Sequence, residues 1–344
     1  MRENVEFRIP EKHAQRFLRA EEGRGLGQIY HSVRLLNLAV TDPRYKEIGD
    51  ITRQMREQEN ASFFLGWQIH RRYTAKELAE AKLFHLDITA IFEPEGEECG
   101  TLYDESYSCP FCGANRKQVS DLRLDLRKVP KNKDIACTIA DEWIVSQRLA
   151  ELMIDAKISG FELRPVRHKA RYQNDAVDFR RYPAGQELTR QAEAIGLVYG
   201  TWEYYVWLNR PDQEELSDRV FQEHAEAMHK VPQKPLPKWY QLVVVSNPVP
   251  MVALTQCGTE PFEENLEGQY RCPLGHVAGL NLLSEVWGQR DAWDGSDINI
   301  TREMIGTRRG VLVPTSLLLI SQRFYQLLRT ENIKGYKVEV AHLE

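Results

Sequence analysis

The sequence predicts an α+β fold made of two related units, because one stretch of the chain occurs twice. The first copy runs from Cys99 to Val166 and the second from Cys257 to Val340. Each copy opens with Cys-Gly-Thr and continues with a Cys-Pro loop, an Asp-Ile pair and a Ser-Gln-Arg segment that runs into a glycine. An offset of 163 residues separates the loop cysteines, Cys109 and Cys272, and also the aspartates that follow them.

Both copies read as strand, cysteine loop, strand, helix, strand. Ser146 and Ser321 are suited to cap the helices at their N-termini, and an apolar stripe at helical spacing follows each serine. Gly160 and Gly335 are expected to end those helices. Apolar and polar residues alternate after each glycine, which predicts a strand. We therefore expect two tandem units related by a pseudo-two-fold, with helical additions.

The remaining segments complete a four-part organisation. Asp42-Pro43 predicts a helix over 44–59, and Thr74 with Glu77 has the spacing of a capping box. The aromatic segment 202–208 predicts a strand, and a polar helix is expected from Pro211 to about His229. The expected parts are a mostly helical N-terminal region (1–83), a first zinc-knuckle repeat (84–166), a connecting helical region (167–236) and a second repeat (237–344).

Bulk composition restricts the class of protein. The chain has 344 residues, 42% of them hydrophobic and 28% charged, with a net charge of −5. This balance is typical of globular proteins and does not favour non-specific binding to nucleic acid. The sequence has neither a membrane-spanning stretch nor a signal peptide, so we expect a cytoplasmic protein. In that compartment the six cysteines indicate thiols or metal ligands rather than disulfides.

The first cysteine loop has the C-x-x-C-G pattern of a zinc knuckle. Cys109 and Cys112 can hold one ion, and Gly113 allows the backbone to turn beneath it. Cys99 can supply a third thiolate, and soft sulfur ligands favour zinc over hard cations. The fourth ligand stays open, since neither His85 nor Asp104 is a compelling choice.

The second loop offers Cys257, Cys272 and His276 as ligands. Gly275 stands where the second cysteine of a knuckle is expected, and the next residue, His276, can replace it. Together the two loops predict one or two structural zinc ions. Two alternatives remain open, a redox-active pair at Cys109 and Cys112 and reduced thiols without metal.

The rest of the chain shows no catalytic signature. It lacks a nucleophile-elbow motif, a phosphate-binding loop and a helical zinc-protease motif. Cys137 is expected to be a buried free thiol, and His224 and His229 to lie on a solvated helix face. The aspartates around Trp293 are expected to form a polar turn. Basic residues between 164 and 182 offer a candidate nucleic-acid surface.

The cysteine loops and the Ser-Gln-Arg helix, glycine and strand that follow resemble bacterial immunity-type proteins. That family neutralises secreted polymorphic toxins and includes the myxobacterial double-CxxCG paralogues. The matching pieces are Cys109–Gly113, Ile144–Val166 and Leu319–Val340. The second loop departs from the family pattern, because it has lost its second cysteine. The resemblance implies a cytoplasmic, non-catalytic, protein-binding role and transfers no catalytic residue.

The leading hypothesis is therefore a zinc-stabilised protein that binds another protein, as an immunity or defence component. The alternative is a zinc protein that binds nucleic acid through the basic stretch 164–182. A third possibility is a zinc hydrolase with an open ligand position at the second loop. The sequence identifies neither the partner nor the oligomeric state.

Overall fold

A computed structural model of the chain shows a mixed α+β protein, as expected. It describes residues 1–17, 26–169, 178–208, 211–213, 215, 216, 218–220, 222, 223, 236–262, 272–276, 281–306 and 313–344. The chain divides into two compact units. The larger unit comprises residues 1–124, 128–167 and 238–344, and the smaller unit comprises 125–127 and 168–237. The smaller unit nearly coincides with the connecting region expected from the sequence.

Seven α-helices and twenty strands have both bounds within the described residues. The helices are α1 (Glu11–Phe17), α2 (Pro43–Glu59), α3 (Ala75–Glu80), α4 (Gln147–Asp155), α5 (Pro183–Ala194), α6 (Trp202–Leu208) and α7 (Gln322–Thr330). The first ten strands are β1 (Arg2–Pro10), β2 (Gln28–Tyr30), β3 (Val33–Ala39), β4 (Gly66–Arg72), β5 (Leu83–Ile88), β6 (Ile91–Phe92), β7 (Tyr103–Asp104), β8 (Lys117–Gln118), β9 (Arg123–Leu124) and β10 (Ile135–Thr138). The others are β11 (Trp143–Ser146), β12 (Phe161–Pro165), β13 (Arg167–His168), β14 (Trp239–Val244), β15 (Cys257–Gly258), β16 (Asn281–Leu282), β17 (Val286–Gly288), β18 (Ile298–Ile305), β19 (Thr315–Ser321) and β20 (Tyr336–Leu343).

The N-terminal region contains a four-stranded antiparallel sheet in the order β2-β3-β1-β4. The expectation of a mostly helical region was wrong for β1 and β3. Val5, Phe7 and Ile9 alternate with polar residues along β1 and are fully buried, which is the period of a half-buried strand. The helix expected after Asp42 is confirmed as α2, because the Asp42 carboxylate accepts the backbone N–H of Arg44. The capping box at Thr74 is confirmed as well.

Two five-stranded sheets form the centre of the larger unit, and four strands of each follow a corresponding order. One sheet has the order β12-β14-β11-β10-β6 and the other β17-β20-β5-β19-β18. In the first, β14 lies between β11 and β12. In the second, β5 lies between β19 and β20, with antiparallel pairing on both sides in each case. One continuous core contains apolar residues of both sheets and of α4 and α7.

The helices α4 and α7 are capped and anchored in the same way. The Oγ atoms of Ser146 and Ser321 accept the backbone N–H three residues on, as the sequence predicted. The two anchoring aspartates reach across to the opposite copy. The Asp134 carboxylate accepts the backbone N–H of Lys334 at 3.2 Å, and that of Asp297 accepts the N–H of Ser159 at 3.0 Å. Each copy thereby holds the turn that ends the other copy's helix segment.

Arg71 joins the N-terminal sheet to the second five-stranded sheet. Its guanidinium is almost completely buried, at 2% exposure, and lies 2.7 Å from the carboxylates of Glu3 on β1 and Glu339 on β20. The buried guanidinium and its two carboxylate partners compensate one another's charges. Removal of one of them leaves a buried charge without a partner, which lowers the stability of the fold.

We expect Arg71→Ala to destabilise the protein by about 3–5 kcal/mol, because it leaves two carboxylates without their shared cation. Urea denaturation measures the change. The matched control is Lys337→Ala, which breaks an ion pair with Asp87 in which both side chains are 42% exposed. That variant should lose less than about 1 kcal/mol. Similar losses in both variants would contradict a structural role for Arg71.

The smaller unit corrects the strand expected over 202–208, which is helix α6. Tyr204, Trp207 and Leu208 are buried at the spacing of one helix face and pack with Ala184 and Leu188 of α5. Aromatic content favours strands only weakly, and helix packing overrides it here. The polar helix expected from Pro211 to about His229 is found in part: a 3₁₀ turn at Pro211–Gln213 precedes helical residues at 215, 216, 218–220, 222 and 223. Residues 224–229 lie outside the described residues. None of the helices described here has the length and apolar character needed to cross a membrane.

Candidate metal centre

The first cysteine loop forms a tight turn after β7. The Cys109 carbonyl accepts the backbone N–H of Gly113 at 2.8 Å, and Gly113 has φ of 77°, a conformation that glycine adopts without strain. The backbone N–H groups of Cys112 and Phe111 point at the sulfur of Cys109. They lower the pKa of that thiol, because hydrogen bonds to a thiolate favour the ionised form. The loop is therefore shaped to present a thiolate.

The second loop makes a similar turn that is one residue shorter. The Cys272 carbonyl accepts the N–H of Gly275 at 2.8 Å, and the Cys272 N–H donates to the His276 carbonyl at 2.9 Å. Gly275 has φ of 87° and makes the same turn as Gly113, although it aligns with Cys112 in the sequence. The longer imidazole side chain of His276 then reaches back to the position that a thiolate would occupy.

The two loops meet and place four ligand atoms together, a group that we name the cysteine–histidine cluster. It consists of Cys109, Cys112, Cys272 and His276, whose ligand atoms all lie within 4.8 Å of one another. The Sγ atoms of Cys109 and Cys272 are 3.9 Å apart. His276 Nδ1 lies 3.6 Å from Cys112 Sγ and 3.2 Å from Cys272 Sγ. These four side chains can bind a metal ion.

The grouping differs from that expected from the sequence, which assigned three ligands to each copy. Four of the six candidates converge, two from each loop. Neither loop alone supplies four ligands, but the two loops together do. Cys99 and Cys257 lie outside the cluster. Cys257 is buried in β15, where burial raises the pKa of its thiol to about 11. The backbone N–H of Cys99 closes a turn on the carbonyl oxygens of Glu95 and Gly96.

Neither residue considered as a fourth ligand for the first loop takes part. His85 is on β5 within a five-stranded sheet, and Asp104 accepts the backbone N–H of Ser106 at the start of a 3₁₀ turn. The redox alternative gains no support from the loop's surroundings. Thioredoxin-like pairs begin a helix, whereas Cys112 is followed by a turn and then by β8.

Asn115 is a contact of the cluster that the sequence did not indicate. Its side-chain amide lies 3.2 Å from Nε2 of His276, the ring nitrogen that faces away from the sulfurs. When Nδ1 binds a metal, Nε2 carries the proton. The atom of Asn115 at 3.2 Å is the amide nitrogen, and a flip of the amide places its oxygen there to accept that proton. Such a contact fixes the orientation of the imidazole. The sequence could not have predicted this contact, because a polar residue three positions after a C-x-x-C pair is a common feature.

The other described candidate residues, Cys137 and Asp297, have contacts that indicate structural roles. Cys137 is a buried free thiol, as expected, and burial raises its pKa to about 12. Asp297 accepts hydrogen bonds from Ser321 and Arg323 and belongs to the helix anchor. Among the described residues, the cysteine–histidine cluster is the only group of three or more potential ligands within this distance. His224 and His229 lie outside the described residues.

Comparison with protein-family models gives no match for this sequence, and comparison with curated proteins gives none either. The assignment of a function therefore depends on the geometry of the chain itself.

Proposed function

We propose that the cysteine–histidine cluster holds one structural zinc ion. Three sulfurs and one imidazole nitrogen are a common zinc ligand set. With Zn–S bonds of about 2.3 Å in tetrahedral geometry, sulfur atoms are separated by about 3.8 Å. The 3.9 Å between the sulfurs of Cys109 and Cys272 agrees with that spacing. The 3.6 Å between Cys112 Sγ and His276 Nδ1 agrees with the sulfur–nitrogen separation of about 3.5 Å that the shorter Zn–N bond gives. The convergence of both loops on one point is the observation that carries the proposal.

A non-catalytic role follows from the number of ligands. Catalytic zinc sites keep one position for water or substrate, whereas structural sites are closed by four protein ligands. Here the protein supplies all four, so the possibility of a hydrolase at the second loop loses its support. The surroundings are also apolar, since the three sulfurs pack with Ala114 and Met304.

We infer further that the two copies are related by a pseudo-two-fold and have exchanged one strand. The strand that precedes each copy, β5 or β14, lies in the sheet of the other copy, between the corresponding pair of strands. The crosswise hydrogen bonds of Asp134 and Asp297 support the same relation. A metal ion bound by both loops would then link the two copies at a third place, besides the exchanged strands and the aspartate hydrogen bonds.

The loops also carry the features of a protein-binding surface. Phe111 and Leu274 occupy the same position in their loops, directly after Cys-Pro, and are 53% and 60% exposed. Tyr107, just before the first loop, is exposed as well. Exposed large apolar side chains are typical of surfaces that bind another protein. Together with the resemblance to immunity-type proteins, this supports a cytoplasmic protein that binds and neutralises a protein partner.

The nucleic-acid alternative gains little from the described part of the basic stretch. Arg164 lies 3.0 Å from Glu162, and Arg167 lies 2.5 Å from Asp121. Farther along, Arg180 lies 2.8 Å from Asp178. Each of these guanidinium groups has an acidic neighbour that reduces its attraction for phosphate. Residues 170–177 of that stretch lie outside the described residues.

Replacing both loop tips with aspartate should abolish partner binding without loss of the metal. We expect affinity purification of the tagged protein from its native host to recover a partner in near-equal amount, and the Phe111→Asp, Leu274→Asp double variant to lose it. Ile154→Asp, an exposed apolar residue on α4, is the matched control and should retain the partner. Zinc content measured in all three proteins separates loss of binding from loss of the site. Equal recovery of the partner by all three would overturn the proposed surface.

A further inference from the structure

A cleft in the larger unit has four acidic residues in its lining and about 330 Å³ of free space. A cavity of this size can hold a small organic group. Its walls include Glu95, Tyr103, Glu142, Trp143, Val244 and Ile300. The proposed zinc site and the proposed docking surface use none of these six residues.

Hydrogen bonds hold the side chain of Glu142 in one orientation at one side of the cleft. Its Oε2 accepts the backbone N–H of Gly96 at 2.7 Å and the hydroxyl of Thr138 at 2.8 Å, and its Oε1 accepts the hydroxyl of Tyr103. A side chain at Gly96 would overlap this carboxylate, so the backbone approaches as closely as glycine allows. Burial and the charge of Glu142 raise the pKa of Tyr103, which keeps its proton as the donor.

Glu95 lies beside it, and no cation of the described residues pairs with its carboxyl group. The residue is 1% exposed, and among the described residues neither of its carboxyl oxygens has a hydrogen-bond partner. Burial raises the pKa of Glu95 to about 7, and the nearby charges of Glu98 and Glu142 add to the rise. Buried carboxylates normally have a cation or several donors as partners. A positively charged occupant of the cleft would give Glu95 such a partner.

The basic residue at the cleft is already engaged. Arg116 pairs with Glu97 and Glu105, and its guanidinium stacks 4.0 Å above the ring of Tyr103. Among the described lining residues there are four carboxylates and this one guanidinium. The excess of negative charge favours a cationic occupant.

An organic cation fits better than a metal ion. The oxygens of Glu142 already accept three hydrogen bonds, and among the described residues no three carboxylate or imidazole ligands at this cleft lie within 4.8 Å of one another. Trp143 and the apolar residues Val244 and Ile300 provide a wall for an aliphatic stem. The volume also exceeds what a bare ion needs.

We propose that this cleft is a binding site for an alkylammonium or guanidinium group, which inserts between the apolar wall and the carboxylates of Glu95 and Glu142. The group can belong to a lysine or arginine side chain of a protein or to a free amine. The proposal does not depend on the zinc site or on the loop surface.

Isothermal titration calorimetry on the full chain tests the proposal with four cationic probes. These are N-acetyl-arginine amide, N-acetyl-lysine amide, agmatine and cadaverine, with N-acetyl-norleucine amide as the uncharged comparison. We expect the cations to bind the wild type and to bind Glu95→Gln at least tenfold more weakly. Glutamine keeps the shape of the side chain, and its amide can donate to the neighbouring carboxylates, so this variant should fold. Glu105→Gln, at the exposed partner of Arg116, is the control and should bind as the wild type does.

The results of the titrations distinguish the two sources of the cation and show which results overturn the proposal. Tighter binding of the blocked amino acids points to a protein side chain, and tighter binding of agmatine or cadaverine points to a free amine. The proposal is overturned if no cation binds, if the norleucine derivative binds equally well, or if Glu95→Gln binds the cations with unchanged affinity. It is also overturned if calcium or magnesium chloride binds at this site and the organic cations do not.

Discussion

Replacing Cys272 by serine should remove the metal completely and destabilise the whole fold. We expect purified wild-type protein to contain one zinc ion per chain and Cys272→Ser to contain none, because all four ligands serve one ion. The lost stabilisation should reach at least about 4 kcal/mol, which is the value for a ligand present at 1,000 times its dissociation constant. Metal analysis by mass spectrometry and urea denaturation with and without a chelator measure the two effects.

The same measurement distinguishes the composite site from two separate ones. Cys109→Ser should also lose the single ion, although Cys109 and Cys272 belong to different copies of the repeat. If each copy held its own zinc, the wild type would contain two ions and each variant one. Cys257→Ser is the matched control, since Cys257 is buried like the ligands but lies outside the cluster. Loss of zinc from that variant, or full zinc content in Cys272→Ser, would rule out the proposed ligand set.

The second large effect is expected at Gly160 and Gly335, which directly precede β12 and β20. The expectation that these glycines end the helices was wrong, because α4 ends at Asp155 and α7 at Thr330. Gly160 has φ of 92° and Gly335 has φ of 113°, a region that costs other residues about 1–2 kcal/mol. A side chain at Gly160 would also overlap the carbonyl oxygen of Ile298, and one at Gly335 that of Ile135. We expect Gly160→Ala and Gly335→Ala each to lose about 3 kcal/mol or more in chemical denaturation, since strain and steric overlap add.

Gly295→Ala isolates the steric part of that effect. Gly295 also has a positive φ, 81°, but a side chain there would meet no atom within 4 Å. This variant should therefore lose only the backbone strain, about 1–2 kcal/mol. Equal losses at Gly295 and Gly335 would mean that the close approach of the two copies contributes nothing. Similar losses at Gly160 and Gly335 would support the pseudo-symmetric relation between the copies.

Local signals in the sequence were sufficient for several elements. The caps at Asp42, Thr74, Ser146 and Ser321 are all found, because a capping side chain bonds to backbone only two or three residues away. The strand that follows Gly335 is confirmed for the same reason, since alternation and glycine conformation are local properties. Such interactions depend on neighbours in the chain and hardly on the rest of the fold.

Features that depend on tertiary packing could not be predicted from local sequence signals. The segment 202–208 has strand-forming residues but forms α6, because its face at Tyr204 and Trp207 packs against α5. β1 is a different case, because the alternation of Val5, Phe7 and Ile9 is a local signal that was present in the sequence and could have indicated the strand. The cleft at Glu95 had no local signal, since Gly96 and Glu142 are 46 residues apart and meet only in the fold.

The sequence by itself determined that the chain is α+β, that one pattern occurs twice, and that two cysteine loops are suited to a soft metal. Each loop taken alone lacks a full ligand set: the first has Cys109 and Cys112, and the second has Cys272 and His276. Only the tertiary structure decided that these four form one group, with ligand atoms within 4.8 Å, and that Cys99 and Cys257 lie elsewhere. The physical reason is that ligand pairs within a loop are set by a few backbone turns, whereas the meeting of two loops more than 150 residues apart is set by how the sheets pair and pack.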